Sequence, residues 1–195
     1  MNTLKTNSLR RSQSGFTLVE TLAAITLITV AIVAPMALTV QSLQVAFYAR
    51  DQITASNLAQ EGIEAIRSVR DGNVLATAEG NATNLFQNIL PACSSGCYVD
   101  ATTVPSPTIT ACSGACPPLR SNGQLYAYNP GSSWIPTNFT RTVDATVVRS
   151  DAGNAAQEIR VTVIVSWKTA AYKSENITLS ENLYNWIATG AAAKS

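Results

Sequence analysis

Histidine is absent from this 195-residue chain, and charge is scarce, with Asp, Glu, Lys and Arg making up 13% of it. Without an imidazole, the commonest general base, metal ligand and triad member is missing. There is also no phosphate-cradling glycine loop of the P-loop or dinucleotide type. Asp144, Asp151, Glu158, Glu175 and Glu181 fall on expected strands or turns, where solvated faces need charges, and they form no acid/base pair. No catalytic residue, metal site or cofactor is therefore expected. The net charge of +1, spread over scattered basic residues, gives no electrostatic ground for a specific nucleic-acid partner or a strongly acidic substrate.

The scarcity is uneven. From Thr21 to Ala49 a run of 29 residues carries no charge at all. About 20 apolar residues suffice for a helix to cross a bilayer core, so this run is long enough to span. Ahead of it, Lys5, Arg10 and Arg11 occur with no acidic residue. That bias keeps the N-terminus in the cytoplasm and places the C-terminal part outside. A secretory signal would have its small-residue cleavage site after the apolar stretch. Here the small residue, Gly15, precedes it, so cleavage there would leave the helix attached. Glu20 puts a carboxylate at the start of the span, which costs about 2.5 to 3.5 kcal/mol on insertion scales and calls for a partner or for snorkelling to the interface. Pro35 interrupts the helical hydrogen-bond ladder inside the run; it is expected to kink the helix, either as a passive bend or as a segment that loosens.

The stretch "SGFTLVETL" with its basic leader and apolar run resembles the processing motif of type IV pilins and of the pseudopilins of type II secretion. The resemblance covers roughly residues 8 to 40. It implies cleavage between Gly15 and Phe16 by a prepilin peptidase and N-methylation of Phe16, which leaves Glu20 at the fifth mature position. Glu20 of one subunit would then pair with the new Phe16 amine of a neighbour in a helical filament, turning a buried charge into an assembly register. The implied partners are other copies or other pilins, the peptidase/methyltransferase, and the membrane. The implied locations are the inner membrane before assembly and an extracellular filament afterwards. Two alternatives remain, a type II secretion pseudopilin and a stand-alone membrane-anchored binding or adhesion protein.

Beyond Arg50 the pattern becomes amphipathic, with Ala55, Leu58, Ala59, Gly62, Ile66 and Val69 at helical spacing on one face. Glu64 with Arg67, and Arg67 with Asp71, are placed to pair along the helix surface. The motif Asp71-Gly72-Asn73 predicts the helix end. "TNLFQNIL" predicts a short helix capped by Thr83 and ended by Pro91. Four cysteines follow in two blocks, "CSSGC" and "CSGAC". An outward-facing domain favours disulfides over zinc. Cys93 with Cys116 and Cys97 with Cys112 are symmetric about the Val104–Pro105 bond, so a hairpin turning at "VPSP" would nest both bridges. Local pairs, Cys93 with Cys97 and Cys112 with Cys116, are nearly as plausible, and the preference for nesting is slight. The sequons at Asn81, Asn138 and Asn176 are short enough to arise by chance.

From Phe139 the period becomes two. "FTRTVDATVVRS", "QEIRVTVIVSWKTA" and "YKSENITLSENLYNW" predict an antiparallel meander, with Val161, Val163, Val165 and Trp167 facing the helix stripe. Tyr184 and Trp186 are expected in core or edge packing. The expected organisation is a leader at 1–15, an apolar helix at 16–49, its amphipathic continuation at 50–72, a connector at 73–138, the meander at 139–187 and a flexible tail at 188–195. The expected fold is α+β and pilin-like, a long N-terminal helix packed on a C-terminal antiparallel sheet.

Overall fold

The computed structural model describes residues 15–81, 84–128, 131, 133–169 and 173–186. The leader up to residue 14, Thr83 and the tail from 188 to 195 lie outside the described residues. Helix α1 covers Leu18–Ala78, and the chain divides into two compact units at Phe47/Tyr48. In the first unit the side chains of the apolar run face outward, with Leu22, Leu27 and Met36 each more than half exposed. By length and composition this is a helix able to cross a membrane.

The second unit is the head. Its part of α1 buries Ala55, Leu58, Ala59, Gly62, Ile66 and Val69, as the spacing predicts, and adds Ile63 and Ala65. Burying each of the larger side chains contributes about 1.5 to 3 kcal/mol. Close approach is set at Gly62, where an added Cβ would lie 3.0 Å from Val163 Cγ1 and 3.1 Å from Arg141 Cδ.

The helix runs beyond the expected stop at Asp71-Gly72-Asn73. Asn73 is buried and donates from Nδ2 to the Leu85 carbonyl at 2.7 Å, so a residue that signals a helix end becomes a tie to the following loop. The true stop is Gly80, in the left-handed region at φ 77°. Gly80 N–H donates to Thr77 O and Asn81 N–H to Ala76 O, the paired bonds of a Schellman motif.

The short helix also differs from expectation. Asn84 Oδ1 accepts the Phe86 N–H at 2.9 Å and starts a series of turns, which lead into α2 at Leu90–Cys93. Pro91 stands in the first turn of α2 and opens the helix where the sequence suggested a stop, because its missing N–H would be unpaired there anyway. Leu85, Phe86 and Ile89 are fully buried.

The connector carries strands that the sequence reading did not separate. These are β1 (Cys97–Asp100), β2 (Thr108–Ala111), β3 (Pro118–Ser121) and β4 (Tyr126–Ala127). The meander follows as β5 (Ile135–Ser150), β6 (Ala156–Lys168) and β7 (Ser174–Tyr184). All pairings are antiparallel. β6 lies between β5 and β7, while the other edge of β5 takes β3 near its start and β1 at Val143. Val161, Val163, Val165 and Trp167 are all buried, as their alternation requires. The fold is thus α+β, with a long N-terminal helix and a C-terminal antiparallel sheet, and the amphipathic half of the helix packs on that sheet. Tyr184 is the last residue of β7, an edge strand, and is 47% exposed, while Trp186, two residues beyond it, is 72% exposed.

The cysteines pair locally, Cys93 with Cys97 and Cys112 with Cys116, with Cα separations of 4.6 and 5.1 Å. This corrects the nested pairing. A β1–β2 hairpin does form across the expected turn, but its register sets Cys97 opposite Ala111, one residue from the alignment that nesting requires. Each short block instead doubles back at a glycine of positive φ, Gly96 at 93° and Gly114 at 94°. All four sulfurs are consumed, which leaves no thiolate to compete as a zinc ligand.

Candidate functional site

The N-terminal end of α1 holds the residues that the motif singles out. Gly15 and Phe16 precede the helix, and Phe16 is 80% exposed. Among the described residues, nothing lies within 4 Å of a Cβ built on Gly15. Thr17 caps the helix, its Oγ1 accepting the Glu20 N–H at 3.3 Å. That contact is one half of a capping box, with Glu20 at the acidic position of the first turn, where the helix dipole favours a carboxylate. Among the described residues, no hydrogen bond or ion pair engages the Glu20 carboxylate itself. Gly15 and Phe16 thus stand just ahead of the first helical turn, which carries Glu20.

Threonine hydroxyls further along the apolar helix are satisfied internally. Thr21, Thr26 and Thr29 donate to the carbonyls of Leu18, Ala23 and Thr26, and Thr39 donates to Pro35 O at 2.9 Å. Such self-contained bonding is what a polar side chain needs where water is absent. Pro35 lies inside α1, and the helical assignment continues on both sides of it.

In the head the sequence reading missed one polar centre. Arg141, 1% exposed, donates from Nη1 to Leu58 O at 2.9 Å and to Glu61 Oε2 at 3.1 Å, and from Nη2 to Val99 O at 2.7 Å. The Tyr128 ring sits against its guanidinium at 5.7 Å, and the Tyr128 hydroxyl donates to Arg141 O. One side chain thereby joins α1, β1 and β5. Burial pushes the Tyr128 phenol above its ordinary value of 10, with Arg141 pulling the other way. The signal was present in the alternation Phe139, Arg141, Val143, Ala145, which puts an arginine on the inward face. Arg67 pairs with Glu64 as expected and also with Glu181 of β7, while Asp71 pairs with Arg70 in place of Arg67.

The head has an open cleft of about 650 Å³ between α1, the turns before α2 and the β1–β2 loop. Among the described residues its lining, which includes Ser68, Asn73, Gln87 and Thr108, has no ionisable side chain.

An apolar helix with a capped, acid-bearing start, long and apolar enough to cross a membrane, thus continues into a pilin-like α+β head. Residues 10–34 match the family model of the prokaryotic N-terminal methylation motif, the signature of type IV pilins and pseudopilins. No curated protein and no solved structure matches the chain significantly. The motif supports a pilin-like or pseudopilin-like prepilin. It points to a structural protein, to processing by a prepilin peptidase, to assembly with other pilins and to membrane anchoring before assembly.

Proposed function

We propose that this chain is a structural subunit of a type IV pilus-like filament. It is made as a prepilin with its N-terminus in the cytoplasm and its head outside, cut between Gly15 and Phe16, and N-methylated on Phe16. The filament forms through the apolar helix, with Glu20 of one copy paired to the Phe16 amine of the next, and Pro35 marks where the helix bends or loosens on leaving the bilayer. The observation that carries this reading is the match of residues 10–34 to the prokaryotic N-terminal methylation motif, with Gly15 and Phe16 standing directly before the apolar helix.

N-terminal mass spectrometry of the protein from cells with an active peptidase tests it. The expected mature chain begins at methylated Phe16, and Gly15→Leu accumulates as the full-length precursor. A chain that keeps residues 1–15, or begins well downstream, would sink the proposal.

A further inference from the structure

The direction of α1 across the sheet fixes which end of the head holds Tyr48, the first residue of this unit. Leu58 and Glu61 meet Arg141 of β5, while Arg67 meets Glu181, a residue registered to Val161 and through it to Ala145. Helix and β5 therefore advance together. Going back from Leu58 to Tyr48 at about 1.5 Å per residue covers about 15 Å. The same distance along β5, at about 3.3 Å per residue, leads from Arg141 to the strand's first residues.

That end is not covered like an ordinary solvated surface. Ile135 is 72% exposed and Leu125 is 56% exposed, with Trp134 half-buried beside them. Ser121 pairs with both Ile135 and Tyr126, which brings Leu125 alongside. Exposed Arg50, Lys168 and Lys173 ring the same end, with Lys168 tied to the start of β5 through Asn138. Lys173 is shared with Glu175 at 2.7 Å, and Arg50 is followed by Asp51. Arg50 is also the first charged residue after the uncharged run.

We propose that this end of the head is a bilayer-docking surface, on which Leu125, Trp134 and Ile135 enter the headgroup boundary of an anionic phospholipid membrane while Arg50, Lys168 and Lys173 contact its phosphates. Apolar and aromatic residues flanked by cations are the composition of an interfacial contact. The inference rests on the membrane-anchored reading of the apolar helix. It adds that the subunit waiting for assembly is seated on the lipid rather than held above it, so that extraction must break a second contact.

The full chain reconstituted into vesicles containing brominated phosphatidylcholine, with and without equimolar phosphatidylglycerol, gives the test. Carbonate-resistant flotation with the vesicles establishes insertion, and a chain that fails to insert overturns both the anchored reading and this one. In inserted protein, a quenched tryptophan component is expected that disappears in Trp134→Phe. Trp167 is 3% exposed and Trp186 lies at the opposite end of the sheet, so both should escape quenching. Leu125→Asn with Ile135→Asn should reduce the quenching, and Lys168→Gln with Lys173→Gln should remove the gain from phosphatidylglycerol. Inserted protein whose Trp134 stays unquenched, because that end faces water or packs on a second copy, overturns the proposal while leaving anchoring intact. So does quenching that the Leu125 and Ile135 substitutions do not change.

Discussion

Arg141 shows how one side chain can hold two layers together. Its planar guanidinium reaches two backbone carbonyls and the Glu61 carboxylate at once, a fork that a lysine ammonium cannot reproduce. Arg141→Lys is expected to destabilise the head by about 3 kcal/mol, because bonds to a buried charge are lost and the Val99 carbonyl is left without its donor. Denaturant unfolding measures this, and a loss within error of zero would mean that the fork is not needed. Tyr128 gives a pH signature at the same centre. Burial raises its pKa in the fold above the unfolded value of 10, so both states hold the phenol proton below pH 10 and the contribution is fully present there. As pH rises past 10, the unfolded chain loses the proton first and stability falls until the folded pKa is passed. Tyr128→Phe should flatten this alkaline loss, at a cost at neutral pH of about 1 kcal/mol for the hydrogen bond to Arg141 O. Unfolding curves at neutral and alkaline pH check both parts.

At the scale of elements, short-range and long-range signals separate. The inward face of α1 follows from 3.6-residue spacing, and the inward residues of β6 from alternation, because both periodicities are properties of a single element. The ends of α1 and α2 do not follow in the same way. Asn73 would terminate an isolated helix, yet its side chain is satisfied by the Leu85 carbonyl, which the helix alone could not supply. Disulfide connectivity is likewise an outcome of register. The local pairs close loops of sequence separation 4, and each is expected to contribute about 2 kcal/mol through the restricted unfolded chain. Replacing Cys93 and Cys97 with Ala should cost more than replacing Cys112 and Cys116, because the first pair is fully buried and leaves a void. Thermal melts of the two double variants decide the order, and non-reducing peptide maps should show neither bridge joining the two blocks.

At the scale of the whole molecule, the open charge at Glu20 separates a filament subunit from a simple tether. Glu20→Val removes the insertion cost of about 2.5 to 3.5 kcal/mol, so the variant should enter the membrane at least as well as the wild type. It also removes the acceptor for a neighbour's Phe16 amine, so incorporation into sheared filaments should fall while cleavage after Gly15 continues. Shearing cells that express each form and comparing filament with membrane fractions reads both effects. Filaments carrying Glu20→Val at wild-type level would end the register role proposed for this residue. A tether would lose nothing, since a capped helix start keeps Thr17 and needs no partner molecule.

The sequence by itself determined the long apolar helix, its amphipathic continuation, the three-stranded meander and the processing motif, because each is written in contiguous residues as a period, a run or a fixed spacing. The cysteine partners, the true end of α1, the four short strands β1 to β4 and the buried post of Arg141 were decided only by the tertiary structure. Each depends on a group far away in sequence. Cys97 faces Ala111 because of hairpin register, Asn73 is held by a loop carbonyl, and Arg141 is tolerated inside because Leu58, Glu61 and Val99 converge on it. Local pattern carries no information about which distant donor or acceptor will be there, and a polar group buried in a fold is stable only when one is.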